Sequence, residues 1–145
     1  MLSAWHTPLS NREGQNVFKD SLWVALGAVL GANLRYGVGR FVGRAIPVDF
    51  PFGTLLINIT GSFVLGAFFM WVRQHEYVSD NWRLVVAVGF CGGYTIFSSF
   101  AWESYALIRE GRWEISLAYI FASNVLGLLA VVAGAMLATK FTAPA

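Results

Sequence analysis

Hydrogen-bonding side chains are sparse in the long apolar stretches of this chain, and three groups of them stand out. Asn58 is followed closely by Gly61 and Ser62. Thr95, Ser98 and Ser99 are interleaved with Tyr94, Phe97 and Phe100, just after Gly89-Phe90-Cys91-Gly92-Gly93. Tyr119, Ser123 and Gly127 recur every four residues, which places them on one helical face. A buried amide or hydroxyl costs free energy unless its donors and acceptors are used. Two uses are open: hydrogen bonds between neighbouring helices, or the lining of a passage. Phe97 and Phe100, i,i+3 neighbours in helical geometry, fit either core packing or a lining. Two charges belong to the same runs. Arg35, one turn after Gly31, either snorkels to an interface or serves inside an assembly. Glu103 either faces protein or water within the span or lies near an interface.

Enzyme chemistry finds little support. The chain shows no nucleophile–base pair and no His, Cys or carboxylate cluster at metal-site spacing. His6 and His75 sit among polar residues and read as solvated side chains. The single cysteine, Cys91, excludes an internal disulfide framework. A net charge of +2, spread along the chain, gives no basis for nucleic-acid binding.

The elements that must carry these residues are membrane helices. Charged residues make up 12% of the chain, where soluble domains average about 25%, and 57% is hydrophobic. Four spans are expected, near residues 22–38, 52–72, 82–107 and 115–138, giving an all-α integral membrane protein. A polar leader (1–20) with no continuous apolar core precedes a four-helix transmembrane domain (21–138), and a short tail (139–145) follows. Gly27 and Gly31 form a small-xxx-small pair suited to close helix approach. Residues 39–52, with Pro47 and Pro51, form the first connection, and Gly111 marks the third turn. The third span is expected to break within residues 89–100, because three glycines fall within five positions there.

Four spans put both termini on one side. Arg12, Lys19, Arg73, Arg83 and Lys140 then face Arg40, Arg44, Arg109 and Arg112, five cations against four, and Arg35 would make the sides equal. Orientation follows an excess of cations, and little excess exists. Such a chain can insert either way and pair with an inverted copy.

Three segments together carry a family resemblance: Gly31-Ala32-Asn33-Leu34-Arg35-Tyr36, the run Gly53 to Phe63 around Asn58, and the run Gly89 to Phe100. The chain resembles the CrcB/Fluc family of small bacterial fluoride channels over nearly all of residues 21–138. The resemblance implies an antiparallel dual-topology homodimer in the bacterial inner membrane, with two fluoride pathways and passive export from the cytoplasm. It carries the family's pore asparagine onto Asn58, its pore phenylalanines onto Phe97 and Phe100, and its last-span polar residues onto Tyr119 and Ser123. It carries the acidic position onto Glu103 and the first-span arginine onto Arg35. It also implies a structural sodium ion at the dimer centre, held by backbone carbonyls near Gly92 and Thr95 of both subunits. The chain departs from the family's Thr-Thr-Phe-Ser-Thr-Phe run at two positions, with Ile96 for the second threonine and Ser99 for the third.

These residue types suit the ion. Fluoride is small and strongly hydrated, so a pore must replace water contacts without holding the ion. Asn58 offers amide N–H groups, and Ser99, Tyr119 and Ser123 offer hydroxyls. The edges of Phe97 and Phe100 are electropositive. Two other functions remain open at this level: a small proton-coupled multidrug or cation transporter, and a structural membrane subunit that passes no ion.

Overall fold

A computed structural model describes residues 17–75 and 77–142. Four spans in it are long and apolar enough to cross a membrane. The first is helix α1, Val17–Ala45, and the second is α2, Phe52–Gln74. The third, Asp80–Arg109, is interrupted. Its first part (α3, residues 80–94) has π-helical geometry over Arg83–Cys91, and its second part is α4, Phe97–Arg109. The fourth is α5, Trp113–Thr142. At 1.5 Å per residue, even the 23-residue α2 reaches about 35 Å, more than a hydrocarbon core of about 30 Å.

The first connection is shorter than expected. Helix α1 continues through Gly39 and Arg44, and only residues 46–51 are non-helical before α2. Pro47 supplies the stop. It disfavours helical geometry at Ile46, and nothing upstream carries such a restriction. Helix α1 also starts at Val17, so residues 17–20 belong to it, while the rest of the leader lies outside the described residues. The third connection follows expectation. Gly111 has a φ of 77°, Gly111 N–H donates to Ile108 O, and Arg112 N–H donates to Leu107 O. That pair of bonds ends α4 in a Schellman motif.

The spans pack as α1 against α3 and α2 against α5, with α4 resting on α5 and α1 touching α2. Both main seams depend on absent side chains. A Cβ on Gly27 would collide with Val85 O, and one on Gly31 with Phe90 O. A Cβ on Gly89 would lie 2.5 Å from Val24 O. Gly66 meets Val131 O and Gly134 meets Phe63 O in the same manner across α2 and α5. Lipid is as apolar as leucine, so membrane helices gain from close backbone approach rather than from the hydrophobic effect, and small residues permit it.

The glycines of the third span therefore play a different part from the one expected. Gly89 and Gly93 lie inside helical structure against α1, and the interruption is confined to Thr95 and Ile96. Helix-weakening residues tolerate a break without dictating its place. Here steric contact with α1 decides what the glycines do.

Candidate functional site

The site begins at the interruption. Thr95 (φ −73°, ψ 155°) and Ile96 (φ −146°, ψ 106°) are extended. Two hydrogen-bonding groups of α2 reach this segment. Asn58 Oδ1 accepts the Ile96 N–H at 2.8 Å, and Asn58 Nδ2 donates to Ile96 O at 3.2 Å. Thr60 Oγ1 lies 2.9 Å from Tyr94 OH. The Thr95 hydroxyl donates back to Cys91 O at 2.8 Å. In a continuous helix the Ile96 N–H would serve Gly92 O. Here it serves Asn58 instead. Gly92 itself is exposed, with open space where a Cβ would stand.

Beyond the interruption an aromatic line runs toward one end of the bundle. The Phe97 and Phe100 rings are 5.7 Å apart, and Phe100 lies 5.2 Å from Tyr119. Phe97 is 78% exposed on the protomer surface, whereas Tyr119 is fully buried. Phe50, from the first connection, meets Tyr119 edge-on at 5.6 Å and joins the cluster of Leu55, Leu107 and Tyr119.

At the end of that line Glu103 accepts two hydroxyl bonds. Thr54 Oγ1 donates to Oε1 and Tyr119 OH to Oε2, each at 2.8 Å. Hydrogen bonds of this kind are what make a carboxylate tolerable within an apolar span. Ser116 Oγ, fully buried, donates to Ser104 O at 2.9 Å and ties α5 to α4 one turn away. Glu103 also lines two grooves, of about 470 and 510 Å³. Phe50 and Pro51 border both. Arg112, on the second groove, binds Asp49 O at 3.0 Å and lies 3.5 Å from Glu110, clipping the first connection to the third.

The structure thus brings Asn58, Phe97, Phe100, Glu103 and Tyr119 into one continuous set. Ser99 is half-buried on α4. Ser123 Oγ is buried one turn beyond Tyr119 and has no hydrogen-bond partner among the described residues. Arg35 is half-buried on α1. Three members escaped the sequence reading: Thr54, Ser116 and Phe50. Thr54 had a usable signal, since it precedes Asn58 by four residues on the same helical face. Phe50 had none, because a connection residue announces no packing partner.

Comparison with known proteins follows the same stretch of chain. The family model "CrcB-like protein, Camphor Resistance (CrcB)" matches residues 22–135. A fluoride-specific ion channel FluC of Koribacter versatilis is 47% identical over 119 residues, covering 81% of this chain and 94% of that protein. The proteins of the same description from Solibacter usitatus and Acidobacterium capsulatum are 41% and 38% identical. They cover 82% and 84% of this chain, and each is covered over 98% of its own length. A match of this extent takes in most or all of each of the four spans and every residue of the set just described, and the chain belongs to the CrcB family.

Proposed function

We propose that this protein is a fluoride-selective channel of the bacterial inner membrane, passing fluoride passively out of the cytoplasm. One observation carries the reading most directly. Amide, aromatic edges and hydroxyls follow one another from the interruption at Ile96 to the grooves at Glu103. Relatives up to 47% identical are named fluoride-specific ion channels. Asn58 Nδ2 has two N–H groups and spends one on Ile96 O, so one remains for an anion. Phe97 and Phe100 offer electropositive ring edges, and Ser99 and the buried, unpartnered Ser123 Oγ would offer hydroxyls. The Tyr119 proton is directed to Glu103. Tyr119 therefore contributes its ring to the line and its hydroxyl to holding the carboxylate. Narrowness at the two rings would exclude chloride by size, and the donors would offset part of fluoride's larger dehydration cost.

The working unit in this reading is an antiparallel homodimer with two pathways. Two observations support it. The flanking cations are nearly balanced across the membrane, and Phe97 and Trp102 are 78% and 68% exposed on α4, beside the pathway residues. A second copy would cover that face.

A structural sodium at the dimer centre fits the chemistry of the interruption. Carbonyl oxygens suit a hard cation, and the Gly92 carbonyl loses its regular helical donor to Asn58. Gly92 and Thr95 would supply those carbonyls, with the same pair from the partner on a two-fold axis. The ion would supply positive potential and hold the two copies together. Arg35 would add a further fixed positive charge on α1.

Fluoride efflux from proteoliposomes, read by a fluoride electrode with chloride-loaded vesicles as control, tests the proposal. Efflux of fluoride without chloride is expected. A correctly assembled protein that passes neither would leave it a structural subunit. Fluxes of organic cations driven by a proton gradient would instead make Glu103 the coupling carboxylate of a transporter.

A further inference from the structure

Three residues of one α2 turn meet the interruption: two of them engage Thr95 and Ile96, and the third engages Tyr94, the last helical residue before it. Asn58 holds the Ile96 peptide groups, Thr60 meets the Tyr94 hydroxyl, and Gly61 lies under Thr95. A Cβ on Gly61 would collide with Thr95 Cγ2 and approach Tyr94 Cδ1 to 3.0 Å. The Asn58 contact is selective for backbone shape. In a helix, the N–H and C=O of one residue point in opposite directions along the axis, beyond the span of one carboxamide. In an extended residue they point to the same side, and a facing amide can engage both, as in an antiparallel pair. Ile96, with φ −146° and ψ 106°, is in that state.

We infer that α2 sets the geometry of the interruption: Asn58 positions the third span by gripping the Ile96 peptide, and Gly61 is the seat that admits Thr95. The grip uses backbone atoms only, so the side chain at position 96 is not read, and isoleucine serves where the family has threonine. Both proposed ion-facing pieces, the carbonyls of Gly92 and Thr95 and the ring of Phe97 after them, take their places from this clamp. The second Nδ2 proton leaves Asn58 able to position the span and contact an anion together.

The inference rests on the channel reading only for its flux readout, and the test separates the two. Fluoride efflux is compared for wild type, Gly61→Ala, Thr95→Ser and the double variant. Gly61→Ala is expected to lose flux by roughly tenfold or more, as overpacking against a fixed neighbour implies. The double variant should return to the level of Thr95→Ser alone, because serine lacks the methyl group in the way. Wild-type flux in Gly61→Ala, or no recovery in the double, overturns the seat. Should Gly61→Ala fail to assemble, recovery of monodisperse protein in the double replaces flux as the readout. Hydrogen exchange at the Ile96 amide needs no ion. It should be slow in wild type and roughly tenfold faster in Asn58→Ala, the factor one hydrogen bond supplies. Equal rates overturn the grip. Faster exchange in Asn58→Ala, beside a wild-type protein that itself passes no fluoride, upholds the clamp and removes the channel reading.

Discussion

The two parts of the third span are held in opposite ways. Helix α3 lies on α1 through backbone contact, with Gly27, Gly31 and Gly89 bringing main chain against main chain. Helix α4 is tied to α2 and α5 through side chains, by Thr54 and Tyr119 on Glu103 and by Ser116 on Ser104 O. These are the two means available where lipid removes the hydrophobic incentive, close packing of small residues and interhelical hydrogen bonds. They have different consequences. A backbone seam has no rotamers and admits one arrangement. A seam of hydroxyls and a carboxylate has side chains that can exchange partners. The contrast separates an anchor from a working part, with the extended pair Thr95–Ile96 between them.

The strongest way to break this contrast is to thicken the anchor. Gly89→Val places side-chain atoms against Val24 O and the Gly27 backbone, where no rotamer can yield. A loss of about 3 kcal/mol is expected, the upper end for overpacking, seen as loss of monodisperse protein in size-exclusion chromatography. Next come the rings of the working part. Phe97→Ala, at an exposed position, should leave the fold intact and lower fluoride efflux by about fivefold, since an aromatic contact is worth roughly 1 kcal/mol and each 1.4 kcal/mol is tenfold in rate. Phe100→Ala should lose as much flux and some stability besides, because its ring packs against Tyr119. Unchanged flux and selectivity in both would return the two rings to ordinary packing.

A smaller effect should follow Tyr119→Phe, which keeps the ring and removes the donor to Glu103 Oε2. A hydrogen bond to a charged group is worth about 1.5–3 kcal/mol. Part of that is recovered here because the grooves let water reach the carboxylate. Thermal unfolding in detergent should show the loss, and selectivity should persist. Ile96→Thr should have the least effect, within about twofold of wild-type flux, the range of substitutions that touch no special feature. A large change there would show that the side chain at 96 is read after all, and would blur the boundary between anchor and working part.

Much of the architecture is determined by local properties that a sequence displays. The four spans follow from apolar run lengths, the third turn from Gly111, and the short first connection's prolines mark where helix must end. Asn58 stands out because an amide in an apolar run must be used. The residues from Gly89 to Phe100 announce an irregular helix, though not where it opens. What the tertiary structure alone decided is which partner each irregularity meets. Gly89 and Gly93 are used by α1 for close approach, so the chain opens two residues later, where Asn58 waits 38 positions away. Thr54 and Phe50 join the site because folding brings α2 and the first connection onto Tyr119 and Glu103. Helical periodicity records what lies within a turn. Contacts across tens of residues depend on how the spans pack, and no residue type encodes that by itself.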